Sequence, residues 1–322
     1  MKAFKACPRR HYFAYELGIR RDRESAPLRI GSAIHGALDL RAQGSSFDEA
    51  LIWLQQQYAD VPSWTEGDEW AVEFQTAARL VHGYYHRYAD ETMAIAETEQ
   101  SFDLPLVNPT TRMPSRTFRL AGKIDKIARL QDTRAAIVEH KTTGDSLDSS
   151  SDYWSRLRLD QQISLYVIAA RATGHDVATV IYDVIRKPGI APKIVDRKSG
   201  RRETPEEFGD RLTTDIGERP DFYFARREIP RLEADLDEFR VELWQQARSI
   251  HECQKSGVWP RNTDSCLQPF PCEYRQICFD GLRADADTIP LGFKRVNSVH
   301  PELELPCSSN SQTERLQSLP KR

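Results

Sequence analysis

With 322 residues the chain is long enough to bury a substantial core, as one large domain or two small ones. Its apolar and charged fractions are ordinary, and a formal charge of −3 gives no net pull toward a polyanion, so nucleic-acid binding would depend on local basic patches or metal ions. No window approaches the ~20 apolar residues of a membrane helix and the N-terminus lacks the apolar stretch of a signal peptide, so a cytoplasmic protein without membrane contact is expected.

In chain order, IGSAIHGALDL (30–40) predicts a helix with His35 in its middle. EWAVEFQTAARLVHGYYHRYAD (69–90) follows, with Trp70, Phe74, Ala77, Val81 and Tyr84 forming a core-facing stripe. From Ala96 short alternating segments, AETEQSFDL, TFRLAGKIDKIARL and AAIVEHKTT, read as strands joined by the turns NPTTRMPS and LQDT. A helix from Arg156 to Ala172, a strand VATVIYDVIRK, a basic loop or hairpin over 187–203, a helix capped by Thr204 and a long helix over 232–254 complete an α/β pattern. Residues 1–288 are expected to form the folded unit and 289–322 a disordered tail, because the chain beyond Ile289 is polar and rich in Ser and Pro.

The strand IVEH-K carries an acid and a base in an otherwise apolar segment. With a side-chain period of two, Glu139 and Lys141 share a face. A turn near Gln131 would bring Asp125 of the preceding strand beside Glu139, at the strand spacing of about 4.8 Å. Two carboxylates that close repel unless a cation joins them, and a hard divalent ion such as Mg²⁺ or Mn²⁺ is the natural resident. Lys141 would orient or help deprotonate the attacking water, or stabilise charge developing on a phosphate. The competing interpretation is an exposed hairpin with solvated cross-strand pairs, which the short pattern alone does not exclude.

Further along, Gln162 and Tyr166 are four apart and share a helix face. Together these residues resemble the PD-(D/E)XK nucleases, in the RecB-like branch that includes AddB-type exonucleases, over Cys7 to Cys278. The family's G-x-x-x-H falls on Gly31 to His35, G-x-x-D on Gly122 to Asp125, E-x-K on Glu139 and Lys141, and Q-x-x-x-Y on Gln162 and Tyr166, in the family's order. Ile124 stands where the superfamily's name has proline. The resemblance implies a restriction-endonuclease-like core, a central mixed sheet flanked by helices, with helical insertions. It also implies His35, Asp125 and Glu139 as metal ligands, with His140 a further candidate, and Gln162 and Tyr166 supporting the site.

Cytosolic thiols stay reduced, so the six cysteines are read first as ligands. Cys266, Cys272 and Cys278 are spaced C-x₅-C-x₅-C, wider than structural zinc pairs, and Cys7 is the obvious fourth. This is similar to the [4Fe–4S] arrangement of AddB-type nucleases and implies an iron–sulfur staple joining the two ends of the chain. The first step of the trio is longer than that family's C-x₂-C, and Cys253 and Cys307 are the substitutes ranked behind Cys266.

The expected function is thus a Mg²⁺- or Mn²⁺-dependent deoxyribonuclease, an exonuclease on single strands or ends, serving recombination, repair or phage DNA processing. No phosphate-binding loop is present, so any helicase would be a separate partner. The alternative is a catalytically silent, iron–sulfur-stapled DNA-binding module.

Overall fold

The computed structural model describes residues 1–300 apart from 91–92 and 268–269. The chain opens with α1 (Lys2–Ala6), α2 (Pro8–His11), a π-helical turn at Tyr12–Glu16 and β1 (Ile19–Arg21). Then come α3 (Ala26–Ala42), α4 (Phe47–Gln57) and α5 (Gly67–Arg87), followed by β2 (Ala94–Val107), β3 (Pro114–Arg129) and β4 (Ala135–Thr143). The second half holds α6 (Asp152–Arg158), α7 (Gln161–Ala172), β5 (Val177–Arg186), β6 (Ile194–Asp196), β7 (Arg201–Arg202), α8 (Pro205–Glu218), α9 (Pro220–Tyr223) and β8 (Phe224–Pro230). It closes with α10 (Glu233–Ser256), α11 (Arg275–Phe279) and β9 (Phe293–Arg295).

A central mixed sheet in the order β2-β3-β4-β5-β8 is flanked by helices, consistent with a restriction-endonuclease-like fold. β4 pairs antiparallel with β3 and parallel with β5, so it lies inside the sheet, where Ala136, Ile137 and Val138 are buried. On one face Ile137, Val180, Tyr182 and Val184 pack with Ile163, Val167 and Tyr166 of α7 and Leu236 and Phe239 of α10. A helical layer of α3, α4, α5 and α8 has a core of its own, built on Ile34, Leu38, Leu54, Leu80 and Phe208.

Three departures from the sequence reading have local causes. The helix expected over 156–172 is broken into α6 and α7, because the Asp160 carboxylate takes the Gln162 N–H at 3.0 Å and starts a new helix. α4, opened by a reciprocal Ser46–Glu49 capping box, and the charge-rich edge strand β8 were not anticipated. The disordered tail expected from 289 is ordered over its first residues: β9 pairs with β1, and Phe293 is buried against Tyr274. Residues 301–322, including Cys307, lie outside the described residues.

The two ends of the chain meet through ordinary protein contacts. Arg9 N donates to Pro260 O at 3.1 Å, Tyr274 OH to Ile19 O at 2.7 Å, and Phe13, Leu17, Ile19, Ile277 and Phe293 share one core.

Candidate active site

The β3–β4 ladder runs from Arg129–Ala135 to Lys126–Val138 and stops there. The next residues in that register are Asp125 and Glu139, so the two acids stand where the strands cease to bond. Glu139 is only 3 % exposed, and burial, with Asp125 adding to it, pushes its carboxyl up to about 7 despite the opposing Lys141 charge. Asp125 is half-buried, and burial raises its carboxyl too, partly offset by His35.

Lys141 sits among three partners. Its Nζ is 2.6 Å from Glu139 Oε1, 3.4 Å from Asp160 Oδ2 and 3.4 Å from Gln162 Oε1. Burial works against its charge, but Glu139 and Asp160 outweigh it and hold the ammonium above its ordinary range. Gln162 in turn donates from Nε2 to Tyr166 OH at 2.9 Å. Tyr166 meets Phe102 edge-on beside Gly122, where an added Cβ would lie 2.6 Å from Phe102 Cζ. Only a residue without a side chain lets that aromatic pair close over β3.

His35 is carried in by α3. At Gly31, one turn earlier, a Cβ would stand 3.0 Å from Thr142 Oγ1, so the glycine lets α3 cross close to the end of β4. His35 is buried enough to hold its pKa below the ordinary value, against the pull of Asp125 and Asp39.

His140 lies apart from the two acids. As the residue between Glu139 and Lys141 it projects from the other face of β4. There its Nε2 is 2.9 Å from Lys126 Nζ and its Nδ1 3.7 Å from Asp183. An Nε2 that accepts from an ammonium has no lone pair left for a metal, and the unpartnered Nδ1 lies on the face of β4 away from Glu139. The same buried network continues from Asp183 to Tyr84 OH (2.5 Å) and Arg226 Nε (2.7 Å), tying β4 and β5 to α5 and β8.

Two residues of the site were missed by the sequence reading. Asp160 is legible as an N-cap two residues before Gln162, and Asp39 lies four residues past His35 on the same helix face, 3.4 Å from Lys126.

Among the described residues no group of three or more His, Cys, Asp or Glu is placed to hold a metal ion, so the expected His35, Asp125, Glu139 and His140 set is not gathered. The pair of acids still fits a hard cation. Mg²⁺ is often held by one or two carboxylates with substrate phosphate completing its shell, and Glu139 Oε2 is buried with no hydrogen-bond partner.

A mixed sheet thus brings an Asp, a Glu-x-Lys and a helix-borne Gln to the end of the β3–β4 ladder. A family model for the PD-(D/E)XK nuclease superfamily matches residues 1–279, and the chain belongs to that superfamily, whose members are typically metal-dependent nucleases. No curated protein matches it. No helix among the described residues is long and apolar enough to cross a membrane.

The cysteines lie apart from this site. Cys7, Cys266, Cys272 and Cys278 all line one cavity of about 170 Å³, together with Arg10, Arg261 and Arg275. Cys253, on α10, is not among its walls. Burial pushes the Cys272 and Cys278 thiols up.

Proposed function

We propose that this chain is a metal-dependent deoxyribonuclease that works as an exonuclease on single strands or strand ends. The observation that carries the reading is the buried Glu139, one oxygen on Lys141 and the other without a partner, beside Asp125 at the end of the β3–β4 ladder. Asp125 and Glu139 would hold Mg²⁺ or Mn²⁺, with His35 close by. Bound there, the ion supplies Lewis acidity at the scissile phosphate and at the attacking water.

The protein's own groups do the rest. Lys141, 2.6 Å from Glu139 and 3.4 Å from Asp160, serves as a positive charge for the phosphate in the transition state. Gln162 and Tyr166 fix its direction and form part of the wall of a groove of about 810 Å³ that also takes in Phe118, His251 and Lys2. Tyr15, Phe118 and Tyr166 with Lys2 and Arg119 give this groove the mix of aromatic side chains and cations that suits a single strand, whose bases stack.

The four cavity-lining cysteines, though no three of them are gathered at ligand distance here, are assigned to a structural [4Fe–4S] cluster. Support comes from the number of thiols, the size of the cavity and three arginines that offset thiolate charge.

The test is degradation of end-labelled single- and double-stranded DNA with Mg²⁺, Mn²⁺ or EDTA, using anaerobically purified protein. Metal-dependent shortening from an end, abolished by Asp125→Ala, is expected; cutting by Asp125→Ala at the parental rate would sink the assignment. Iron and sulfide analysis of the same preparation, and of Cys7→Ser, tests the cluster separately.

A further inference from the structure

The densest positive charge lies outside the site. Residues 186–202 contain seven Lys and Arg against one acid, Asp196. This stretch forms the β6–β7 hairpin, in which Ile194 pairs with Arg202 and Asp196 with Arg201.

The hairpin is a built object. The Asp196 carboxylate accepts from Lys198 N (2.8 Å) and Ser199 Oγ (2.6 Å), and Gly200 turns the chain at φ +73°. At its base Glu203 accepts from Lys193 N (3.1 Å) and from both arms of Arg211 (2.7 and 2.6 Å). Arg201 is spent on Glu207 at 2.9 Å. Asp196, Glu203 and Glu207 are therefore committed within the hairpin and to α8. Arg197, Lys198 and Arg202 are exposed, and among the described residues their side chains have no carboxylate partner.

Its position connects it to the site. In the parallel β4–β5 pair Lys141 lies opposite Val184 and Thr143 opposite Arg186, and Lys187 N donates to Thr143 O at 2.7 Å. The hairpin therefore leaves the sheet at the end where Lys141 stands.

We propose that the β6–β7 hairpin is a wing that grips the phosphate backbone of duplex nucleic acid adjoining the strand end held at Glu139 and Lys141; this rests on the nuclease reading above. A two-stranded ribbon fits a B-form major groove, about 12 Å wide. From Lys187 to Glu207 there is no aromatic residue, so the wing lacks the stacking platforms that single-strand sites combine with charge.

Binding and cutting are read separately. The full chain carrying Asp125→Asn, with and without Arg197→Ala, Lys198→Ala and Arg202→Ala together, is titrated at several salt concentrations with a labelled single strand and with a duplex bearing a single-stranded overhang. Loss of the wing is expected to weaken overhang-duplex binding roughly tenfold or more and to flatten its log–log salt slope by about 2 to 3, close to 0.9 for each lost phosphate contact. Single-strand binding is expected to change little. Unchanged duplex affinity and slope, or equal losses on both ligands, overturn the wing. Metal-dependent cutting of a short single strand by the wing variant with Asp125 intact reports on the nuclease reading alone, so either idea can fail while the other stands.

Discussion

The Asp160 carboxylate lies 3.4 Å from the Lys141 ammonium while also capping α7 through the Gln162 N–H. One side chain therefore starts the helix that carries Gln162 and Tyr166 and steadies the lysine opposite them. The Lys141 charge, with that of Lys2 3.6 Å away, holds the Asp160 carboxyl below its ordinary range despite burial.

The two roles of Asp160 separate by substitution. Asn caps as well as Asp, so Asp160→Asn is expected to keep the melting temperature within a few degrees while slowing single-turnover cleavage about tenfold through a less well-held Lys141. Asp160→Ala is expected to show the same rate loss plus about 1 kcal/mol of lost stability from the missing cap. Equal melting of all three proteins would remove the capping argument, and equal rates would remove the electrostatic one.

Lys141→Ala removes the cation from the scissile phosphate and leaves Glu139 buried beside Asp125 with no counter-charge. Cleavage is expected to fall by at least about a hundredfold, the scale of losing one preorganised transition-state contact. DNA binding measured in Ca²⁺ or EDTA is expected to change far less. A large loss of binding with an unchanged rate would make Lys141 a substrate anchor instead.

Much of the site was legible because its chemistry repeats at short spacings. Glu139 and Lys141 share a face by strand alternation, Gln162 and Tyr166 by helix periodicity, and the turn at 130–134 sets the register that brings Asp125 to Glu139. The misses share one cause: local pattern does not say which partner a polar residue meets. His140 alternates away from Glu139, yet only the fold shows that Lys126 takes its Nε2 while its Nδ1 stays buried without a hydrogen bond, 3.7 Å from Asp183. Asp160 falls inside the helix expected over 156–172, and its role as a cap shows only where its carboxylate takes the Gln162 N–H and starts α7. β8 and β9 are short and charged, and they are strands because β5 and β1 offer them edges to pair with.

Gly122 tests the packing that supports the site. A Cβ there would meet Phe102 Cζ at 2.6 Å and Tyr166 Cε1 at 3.4 Å. Gly122→Ala is expected to push Phe102 aside at a cost of about 1–3 kcal/mol in urea unfolding, as for other overpacked cores. Because Tyr166 holds Gln162, the rate is expected to drop as well, and Phe102→Leu in the same chain should restore part of both. No rescue by the smaller side chain would mean that the clash lies elsewhere.

The wing's anchor supplies the pH dependence. Hydrogen bonds from Arg211, with those from Lys193, hold the Glu203 carboxyl down at about 2, against an unfolded value of 4.5. For an acid with a depressed folded pKa the unfolded chain binds more protons between those two values, so stability rises with pH across that window. The contribution is fully present above about pH 4.5 and is lost as pH falls toward 2. Glu203→Gln is therefore expected to cost about 1 kcal/mol at pH 7, the scale of one net hydrogen bond. Measured by urea unfolding at pH 7 and again near the bottom of the range in which the parent still folds, the difference between parent and variant should shrink with acidification. A difference that stays constant would mean that Glu203 acts through its shape and its amide contacts instead of its charge, and limited proteolysis within 187–204 would then be no faster in the variant than in the parent.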